Sequence, residues 1–272
     1  MTSFMLSPNR RDELAALLGD EERLQVEYPK VAEYLDTAAT LPTADQEQAR
    51  LLDLRMLHFM TGGTSSNPYW EIVEPLVGGG AGERVIAGSA RLAYAQTVLQ
   101  EQYAYGIPSP STVDWIAAAV DGRGLCEIGA GRGYWAAMLS AHGVDVRAFD
   151  SEPPGSTVNP SFPDAEGRRA IWHRVDGLSD LAVAWSAERL GDRVLFLCWP
   201  PGWENPMSAQ SLREYTAFGG EQLIYIGEPR GGKTGSTEFF EELSKSWTLE
   251  ASDDSFVSWW NLDDAAQLWH RK

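Results

Sequence analysis

Two carboxylates and three alternating glycines lie in one short stretch of the sequence, and residues of these types can hold a nucleoside. An apolar run in "GLCEIGAGRGYW" leads to Glu127, and Gly129, Gly131 and Gly133 follow at alternate positions. Glycine permits a tight turn and lets a ligand approach the backbone closely. Asp150 ends the next apolar run, where a carboxylate can accept hydrogen bonds from both hydroxyl groups of a ribose. The pattern predicts a nucleoside site at a strand-to-helix turn.

One position departs from the fingerprint of dinucleotide-binding proteins. The residue that would complete G-x-G-x-x-G is Tyr134 and not a glycine. A diphosphate requires the helix to pack closely at this point, and a tyrosine obstructs that packing. The pattern E-x-G-x-G-x-G therefore suits a cofactor that contains an adenosine but no phosphate.

These motifs, in the order of the predicted elements from Thr112 to Lys272, resemble the class I S-adenosylmethionine-dependent methyltransferases. More narrowly, "YGIPSP", "EIGAGRGYW", "CWPP" and "IGEPRGGKTGS" resemble a group of bacterial methyltransferase-like proteins without a clear assigned role. The alternative is a glycine-rich turn followed by an aspartate that lies there by chance.

The resemblance implies S-adenosylmethionine as the cofactor and assigns residues to its parts. The methionine moiety would lie near Glu127, Gly129, Ala130, Gly131 and Gly133. The ribose would bind Asp150, and the adenine would lie near Ser151, Asp176 and Gly177.

A second motif, in "IYIGEPRGGKTGS", matches the phosphate loop of nucleotide hydrolases. Gly227, Gly232, Lys233 and Thr234 have the spacing G-x-x-x-x-G-K-T. A phosphate loop normally follows the first strand of its domain, whereas too little chain follows Thr234 to complete such a sheet. We therefore interpret this match as accidental.

Three residues are candidates for the catalytic side of the site. Trp199 in "LFLCWPPGW" stands where methyltransferases of base amino groups often carry Asn or Asp, which argues against adenine-N6 or glutamine as the acceptor. It would wall the pocket or give a cation–π contact, or it packs beside a rigid Pro-Pro exit. Glu228 ends the predicted fifth strand, and Tyr105 precedes the first helix of the domain. Packing alone would account for the further candidates His58, Tyr69, Trp70, Tyr103 and His173.

Composition narrows the partners and the compartment. The net charge is −17, which disfavours nucleic acids and anionic membranes because their binding relies on Lys and Arg. The two cysteines, Cys126 and Cys198, lie in apolar runs and indicate a reducing compartment. The sequence shows no signal peptide, no bilayer-spanning run and no metal-ligand spacing, so we expect a cytoplasmic protein without a metal.

The order of the predicted helices and strands divides the chain into two regions. Residues 1–104 read as helices that form a cap, which would cover the substrate or mediate dimerisation or partner binding, with a hinge in "VGGGAGE". Residues 105–272 alternate strands and helices, which predicts an α/β fold with a doubly wound, seven-stranded, mostly parallel sheet. The third strand is expected in "AIWHRVDG" and the last two near 247–260 and 265–271.

The resulting hypothesis is methyl transfer from S-adenosylmethionine to an O or N atom of a small molecule, in specialised metabolism. Two alternatives stay open. The same fold could catalyse an elimination or cyclisation, or it could serve as a non-catalytic partner subunit.

Overall fold

Seven strands form one sheet in the computed structural model, which describes residues 6–43, 45–77, 88–155 and 171–272. The strands are β1 (Leu125–Ile128), β2 (Val146–Asp150), β3 (Asp176–Gly177), β4 (Val194–Cys198), β5 (Gln222–Gly227), β6 (Trp247–Ser252) and β7 (Ala265–Arg271). Their order in the sheet is β3-β2-β1-β4-β5-β7-β6. Strands β1 to β5 are parallel, and β7 runs antiparallel to both of its neighbours. The predicted seven-stranded, mostly parallel α/β sheet is confirmed.

Helices precede the sheet and connect its strands. Before β1 lie α1 (Pro8–Leu18), α2 (Glu21–Glu27), α3 (Pro29–Thr40), α4 (Gln46–Met60), α5 (Pro68–Val73), α6 (Ala90–Gln102) and α7 (Pro110–Val120). Between the strands lie α8 (Tyr134–Ala141), α9 (Leu178–Ala187), α10 (Met207–Ala217) and α11 (Thr237–Ser246). Short 3-10 turns occupy Glu74–Leu76 and Leu190–Asp192.

The side chains of successive strand residues lie on opposite faces of the sheet. Val194 and Phe196 belong to the apolar cluster that includes α7, α8 and the N-terminal helices. Leu195 and Leu197 belong to the cluster that includes α9, α10 and α11. Because both faces are covered, β4 is apolar throughout, as buried parallel strands usually are. A ligand site is therefore expected at the edge of the sheet where the parallel strands end.

The N-terminal helices share their core with one face of the sheet. A single apolar cluster includes Leu14 of α1, Tyr69 of α5 and Ile224 of β5. Polar N-caps start several of these helices: the side chain of Asn67 accepts a hydrogen bond from Trp70 N and thereby begins α5. The division of the chain near residue 104 stays a prediction.

Two predicted segments differ from the structure, and a third lies mostly outside the described residues. The third strand is confined to Asp176–Gly177, which pair with Phe149 and Asp150 of β2. Trp172 instead donates its backbone N–H to the Arg132 carbonyl at 2.9 Å. Strand β6 ends at Ser252, where a turn begins on the next residue. The predicted hinge lies outside the described residues, apart from the first valine of "VGGGAGE", and so does the first residue of "AIWHRVDG".

Candidate functional site

The loop between β1 and α8 turns on glycines in left-handed conformations. Gly129, Gly131 and Gly133 have φ of 83°, 54° and 75°. Residues with side chains adopt such values only at a cost. The N–H of Gly129 donates to the Phe149 carbonyl at 2.8 Å, and the N–H of Ala130 donates to the same oxygen at 3.1 Å. The loop is thus fixed where β1 and β2 end side by side.

Different neighbours approach the two outer glycines. A Cβ on Gly129 would lie 2.6 Å from Cε of Met207, which begins α10. A Cβ on Gly133 would lie 2.9 Å from Cβ of His173 and 3.1 Å from Cγ2 of Val175. Gly133 is therefore required by the packing of the chain itself, whereas Gly129 faces the tip of a flexible side chain that sequence analysis missed.

Asp150 is oriented by backbone amides on either side of it. Its Oδ2 accepts a hydrogen bond from Gly131 N at 2.8 Å, and its Oδ1 accepts one from Glu152 N at 2.9 Å. The residue is only 8% exposed. Each carboxylate oxygen carries two lone pairs, so both oxygens can accept a further hydrogen bond. The carboxylate is held in one orientation and keeps its capacity to bind a pair of hydroxyl groups.

Glu127 is a buried acid with one unpaired oxygen. The residue is 2% exposed, and its Oε2 has no hydrogen-bond partner within the described part of the chain. Burial raises the pKa of Glu127 to about 8; the charge of Asp150 raises it further and a backbone hydrogen bond from Ala136 lowers it. A buried unpaired oxygen costs free energy, and a hydrogen-bond donor or a cation would remove that cost.

The residues predicted beside the adenine lie next to Asp150 on the sheet. Gly177 pairs with Asp150 in the β2–β3 register. The Asp176 carboxylate is held by Arg147 at 3.2 Å and by Arg174 at 2.8 Å. Ser151 is exposed. The structure therefore brings these positions together at one edge, with the Asp176 side chain already engaged in ion pairs.

Trp199 occupies an unusual conformation directly after β4. Its φ is 54°, which is rare for a bulky residue. Its backbone N–H donates to the Ile226 carbonyl at 2.8 Å, and its indole Nε1 donates to Asp264 Oδ2 at 2.9 Å. The indole stacks on Tyr105, with 5.2 Å between the ring centroids. Two of the three predicted catalytic residues are thus in direct contact.

The third predicted catalytic residue, Glu228, holds a loop. Its Oε2 accepts a hydrogen bond from Lys233 N at 2.5 Å, and its Oε1 accepts one from Asp263 N at 3.4 Å. Asp264, one residue further along, differs because its Oδ1 has no hydrogen-bond partner among the described residues. Burial raises the pKa of Asp264 to about 7; the hydrogen bond from Trp199 lowers it and the charge of Glu228 raises it.

Polar groups of the phosphate-loop motif are hydrogen-bonded to other groups of the protein. Thr234 is fully buried, and its Oγ1 accepts a hydrogen bond from Glu228 N at 2.8 Å and bonds to the Tyr225 hydroxyl at 2.7 Å. The N–H of Gly235 donates to the Pro200 carbonyl at 2.9 Å. A phosphate loop binds phosphate through such backbone amides and binds Mg²⁺ through its threonine hydroxyl. Because these groups are already engaged, the structure supports the interpretation of the motif as accidental.

An aromatic cluster joins the helical region to the edge of the sheet. Tyr69 of α5 stacks on Tyr103 at 5.3 Å between centroids, and its hydroxyl accepts a hydrogen bond from Trp259 Nε1 at 3.2 Å. Tyr134 packs edge-on against Trp172 at 4.8 Å. The Tyr134 hydroxyl donates to Asn67 Oδ1 at 2.9 Å, which anchors the start of α8 to the start of α5. Tyr69 and Tyr103 are thereby packing residues of this cluster.

The two histidines and the two cysteines are engaged in packing or in hydrogen bonds, or are buried. Nδ1 of His58 accepts a hydrogen bond from Arg10 Nε at 3.1 Å, and burial lowers the pKa of His58. His173 packs against Gly133. Burial raises the pKa of Cys126 to about 12 and that of Cys198 well above its ordinary value, so neither thiol is a ready nucleophile.

Two further properties follow from the described ranges. Within them, no three His, Cys, Asp or Glu side chains are grouped so that they could hold a metal ion. None of the helices described there combines the length and the apolar character that a bilayer span requires.

The arrangement of the strands defines the class of fold. Parallel strands β1 to β5, followed by an antiparallel β7 inserted between β5 and β6, mark the class I methyltransferase fold, and the chain has this fold. No protein-family model matches the sequence, and no curated protein matches it.

Solved structures with a similar fold include a putative O-methyltransferase from Klebsiella pneumoniae, at 12% identity, with 74% of this chain and 94% of that chain covered and a TM-score of 0.42. Another is magnesium protoporphyrin IX methyltransferase from Synechocystis PCC 6803 with bound SAH, at 11% identity, 68% and 90% coverage and a TM-score of 0.37. A protein of the NADB-Rossmann superfamily from Streptococcus agalactiae aligns at 11% identity, 60% and 68% coverage and a TM-score of 0.38. These scores are low, so the fold assignment rests on the strand order of the chain itself.

Proposed function

We propose that the protein is an S-adenosylmethionine-dependent methyltransferase that acts on an O or N atom of a small molecule. The observation that carries the proposal is the pair of acids at the ends of β1 and β2. Asp150 is held by two backbone amides with acceptor capacity left over, and a buried oxygen of Glu127 has no hydrogen-bond partner among the described residues. Such a pair suits a ligand that has two hydroxyl groups and a positive charge.

The residues present fit this cofactor. Asp150 would hold the ribose, and Glu127 with the loop of Gly129, Ala130, Gly131 and Gly133 would hold the charged methionine part. Ser151, Asp176 and Gly177 would flank the adenine. Tyr134 fills the start of α8, where a diphosphate would need space. When bound, S-adenosylmethionine supplies an electrophilic methyl group on a sulfonium.

The chain itself contributes alignment and exclusion of water. Methyl transfer depends on holding the acceptor in line with the donor in a desolvated site. Trp199 and Tyr105 would form one wall of the acceptor site, and Glu228 would keep the neighbouring loop in place through Lys233 N. The excess of acidic residues over basic ones, 39 against 22, favours a metabolite over a nucleic acid as the substrate.

We further propose that residues 1–104 act as a cap on the domain formed by residues 105–272. Tyr69 of α5 supports this role, because it packs against Tyr134 and Trp259, which belong to residues 105–272. The same helices are candidates for a homodimer or partner contact. The free cysteines Cys126 and Cys198 suit a reducing compartment, and we propose the cytoplasm.

Calorimetric titration with S-adenosylmethionine, NAD and ATP tests the proposal. We expect one S-adenosylmethionine to bind per chain, and neither NAD nor ATP to bind in the same concentration range. Incubation with metabolite extract should then release S-adenosylhomocysteine, detected by mass spectrometry. Binding without that product would indicate a non-methylating reaction, and absence of binding would indicate a partner subunit.

A further inference from the structure

A carboxylate and two aromatic rings meet beyond the ends of β4 and β5, at the start of β7. We call Asp264, Trp199 and Tyr105 the acid–aromatic site. Asp264 Oδ2 accepts the hydrogen bond of the Trp199 indole, while Asp264 Oδ1 is shielded from water and has no partner among the described residues. Trp199 and Tyr105 are half-buried. One oxygen is thus committed to the protein, and the other is left for a donor that the described chain does not provide.

The charged and aromatic groups around Asp264 favour the binding of a cation. Lys233 lowers the pKa of Asp264, but its side chain is exposed and its Nζ is directed to the Asn261 carbonyl at 3.5 Å. The charges of Glu228 and Asp263 act on Asp264 in the opposite direction. Aromatic faces also attract cations, because their π electrons present a negative surface. The acidic neighbours of Asp264 therefore favour a cation at this position, and the described lysine that acts on it is exposed.

Two different backbone segments supply the rings of the acid–aromatic site. Tyr105 belongs to the irregular segment between α6 and α7, and its ring stacks on that of Trp199. Trp199 is held in a left-handed conformation by backbone and side-chain hydrogen bonds, so the opposite side of the site is fixed. A strained residue that its surroundings hold so firmly is often part of a binding site.

We propose that the acceptor of methyl transfer is an aliphatic amine, bound as its ammonium ion by Asp264 Oδ1 beside the Trp199 and Tyr105 rings. This inference rests on the proposed function, since it names the acceptor of that same site. It narrows the acceptor atom from O or N to N. It also assigns a role to Asp264, which the sequence pattern does not single out.

The carboxylate has a second task once the amine is bound. An ammonium ion has no lone pair, so it must lose a proton before its nitrogen can accept a methyl group. One N–H proton passes to Asp264 Oδ1, which leaves a neutral amine and a neutral carboxylic acid. Burial keeps the pKa of Asp264 near 7, so the acid can take the proton and later return it to water.

The binding experiment compares 2-phenylethylammonium with 2-phenylethanol, which has the same shape and no charge. Both are titrated into the protein saturated with S-adenosylhomocysteine, so that no turnover occurs. We expect the ammonium ion to bind at least about tenfold more tightly than the alcohol. Asp264→Asn keeps an oxygen for the Trp199 hydrogen bond but loses the charge, and should reduce the preference to within about twofold.

Asp254→Asn is the matched control, because it removes one charge from an exposed residue outside the acid–aromatic site. It should retain the preference for the ammonium ion. Equal affinities in the wild-type protein, binding of neither probe, or a preference that survives in Asp264→Asn would overturn the inference. If S-adenosylhomocysteine itself fails to bind, the proposed function fails instead, so the two failures are distinguishable.

The preference should also depend on pH. The probe amine stays protonated from about pH 6 to about pH 8, whereas Asp264 ionises in this range. The ammonium preference should therefore rise with pH in the wild-type protein and stay flat in Asp264→Asn. The titratable and charged groups that face Asp264 are the same in both proteins: Glu228, Asp263, Lys233, Tyr69, Tyr225 and Cys198.

Discussion

The indole of Trp199 donates a 2.9 Å hydrogen bond to the carboxylate of Asp264, 65 residues further along the chain. Trp199 leaves β4 and Asp264 enters β7, and β5 lies between these two strands in the sheet. The bond therefore bridges the end of β5 and fixes the Trp199 ring relative to the start of β7. It also keeps the Trp199 ring stacked on Tyr105.

Replacement of Trp199 by phenylalanine tests the structural value of this bond. Trp199→Phe keeps an aromatic ring but removes the indole N–H that donates to Asp264 Oδ2. We expect the free energy of unfolding in urea to fall by about 1–3 kcal/mol. Trp203→Phe is the matched control, because Trp203 also has a positive φ but is 80% exposed. A similar loss in both variants would show that the hydrogen bond contributes nothing.

Asp150→Ala should weaken S-adenosylmethionine binding by at least about tenfold, which corresponds to about 1.4 kcal/mol. The variant removes both acceptors of the proposed ribose contact and releases the amides of Gly131 and Glu152. Calorimetry gives the dissociation constant directly. Asp254→Ala removes an exposed acid and should bind like the wild-type protein. An unchanged dissociation constant in Asp150→Ala would remove this residue from the site.

Gly133→Ala should destabilise the protein more than Gly143→Ala does. Both glycines have a positive φ, but a Cβ on Gly133 would lie 2.9 Å from His173 Cβ, whereas one on Gly143 would contact nothing within 4 Å. Gly143→Ala therefore measures conformational strain alone, about 1 kcal/mol. We expect Gly133→Ala to lose a further 1–3 kcal/mol, roughly the cost of overpacking. Urea unfolding curves give both values, and equal losses would contradict the packing role of Gly133.

Glu127 should make the stability of the ligand-free protein depend on pH. Because its pKa is raised to about 8 from an ordinary 4.5, the folded state binds its proton more tightly than the unfolded state does. The contribution is favourable at low pH and is lost as the pH rises from about 4.5 to about 8, by roughly 5 kcal/mol at 1.36 kcal/mol per pKa unit. Glu127→Gln should flatten the pH profile of unfolding, while Glu250→Gln, at an exposed position, should leave it unchanged. A wild-type slope in Glu127→Gln would show that Glu127 ionises normally.

Two neighbouring residues of the accidental phosphate-loop motif, the exposed Lys233 and the buried Thr234, should differ in their effect on stability. Lys233 is exposed, so Lys233→Ala should change neither S-adenosylmethionine binding nor stability by a measurable amount. Thr234→Val removes the buried hydroxyl that bonds to Glu228 N and Tyr225, and should cost about 1–3 kcal/mol of stability. Thermal unfolding compares the two. ATP binding that disappears in Lys233→Ala would reverse the interpretation.

Local patterns in the sequence were sufficient for the fold class and for the glycine loop. The apolar runs that end at Glu127 and Asp150 are β1 and β2, and the spacing of Gly129, Gly131 and Gly133 gives the turn. These features depend on residues that are close together in the sequence, so the sequence alone is enough to predict them. The predicted third strand was too long, because Trp172 donates its backbone N–H to the Arg132 carbonyl and only Asp176 and Gly177 pair with β2.

Contacts between distant residues could not be predicted. Asp264 comes near Trp199 only because β7 inserts antiparallel beside β5, and nothing in "NLDDAAQ" indicates this. Glu228 stands where a catalytic acid was expected, but the loop after it folds back so that Lys233 N bonds to its carboxylate. Met207 approaches Gly129 from α10, a contact that no spacing rule predicts.

The most direct measurement is an experimental structure of the protein in complex with S-adenosylhomocysteine. Our account predicts that both ribose hydroxyl groups lie within hydrogen-bond distance of the Asp150 carboxylate, with the amino acid part of the ligand beside Glu127 and the glycine loop. A ligand bound elsewhere, or an Asp150 carboxylate that contacts only Gly131 and Glu152 in the complex, would contradict it.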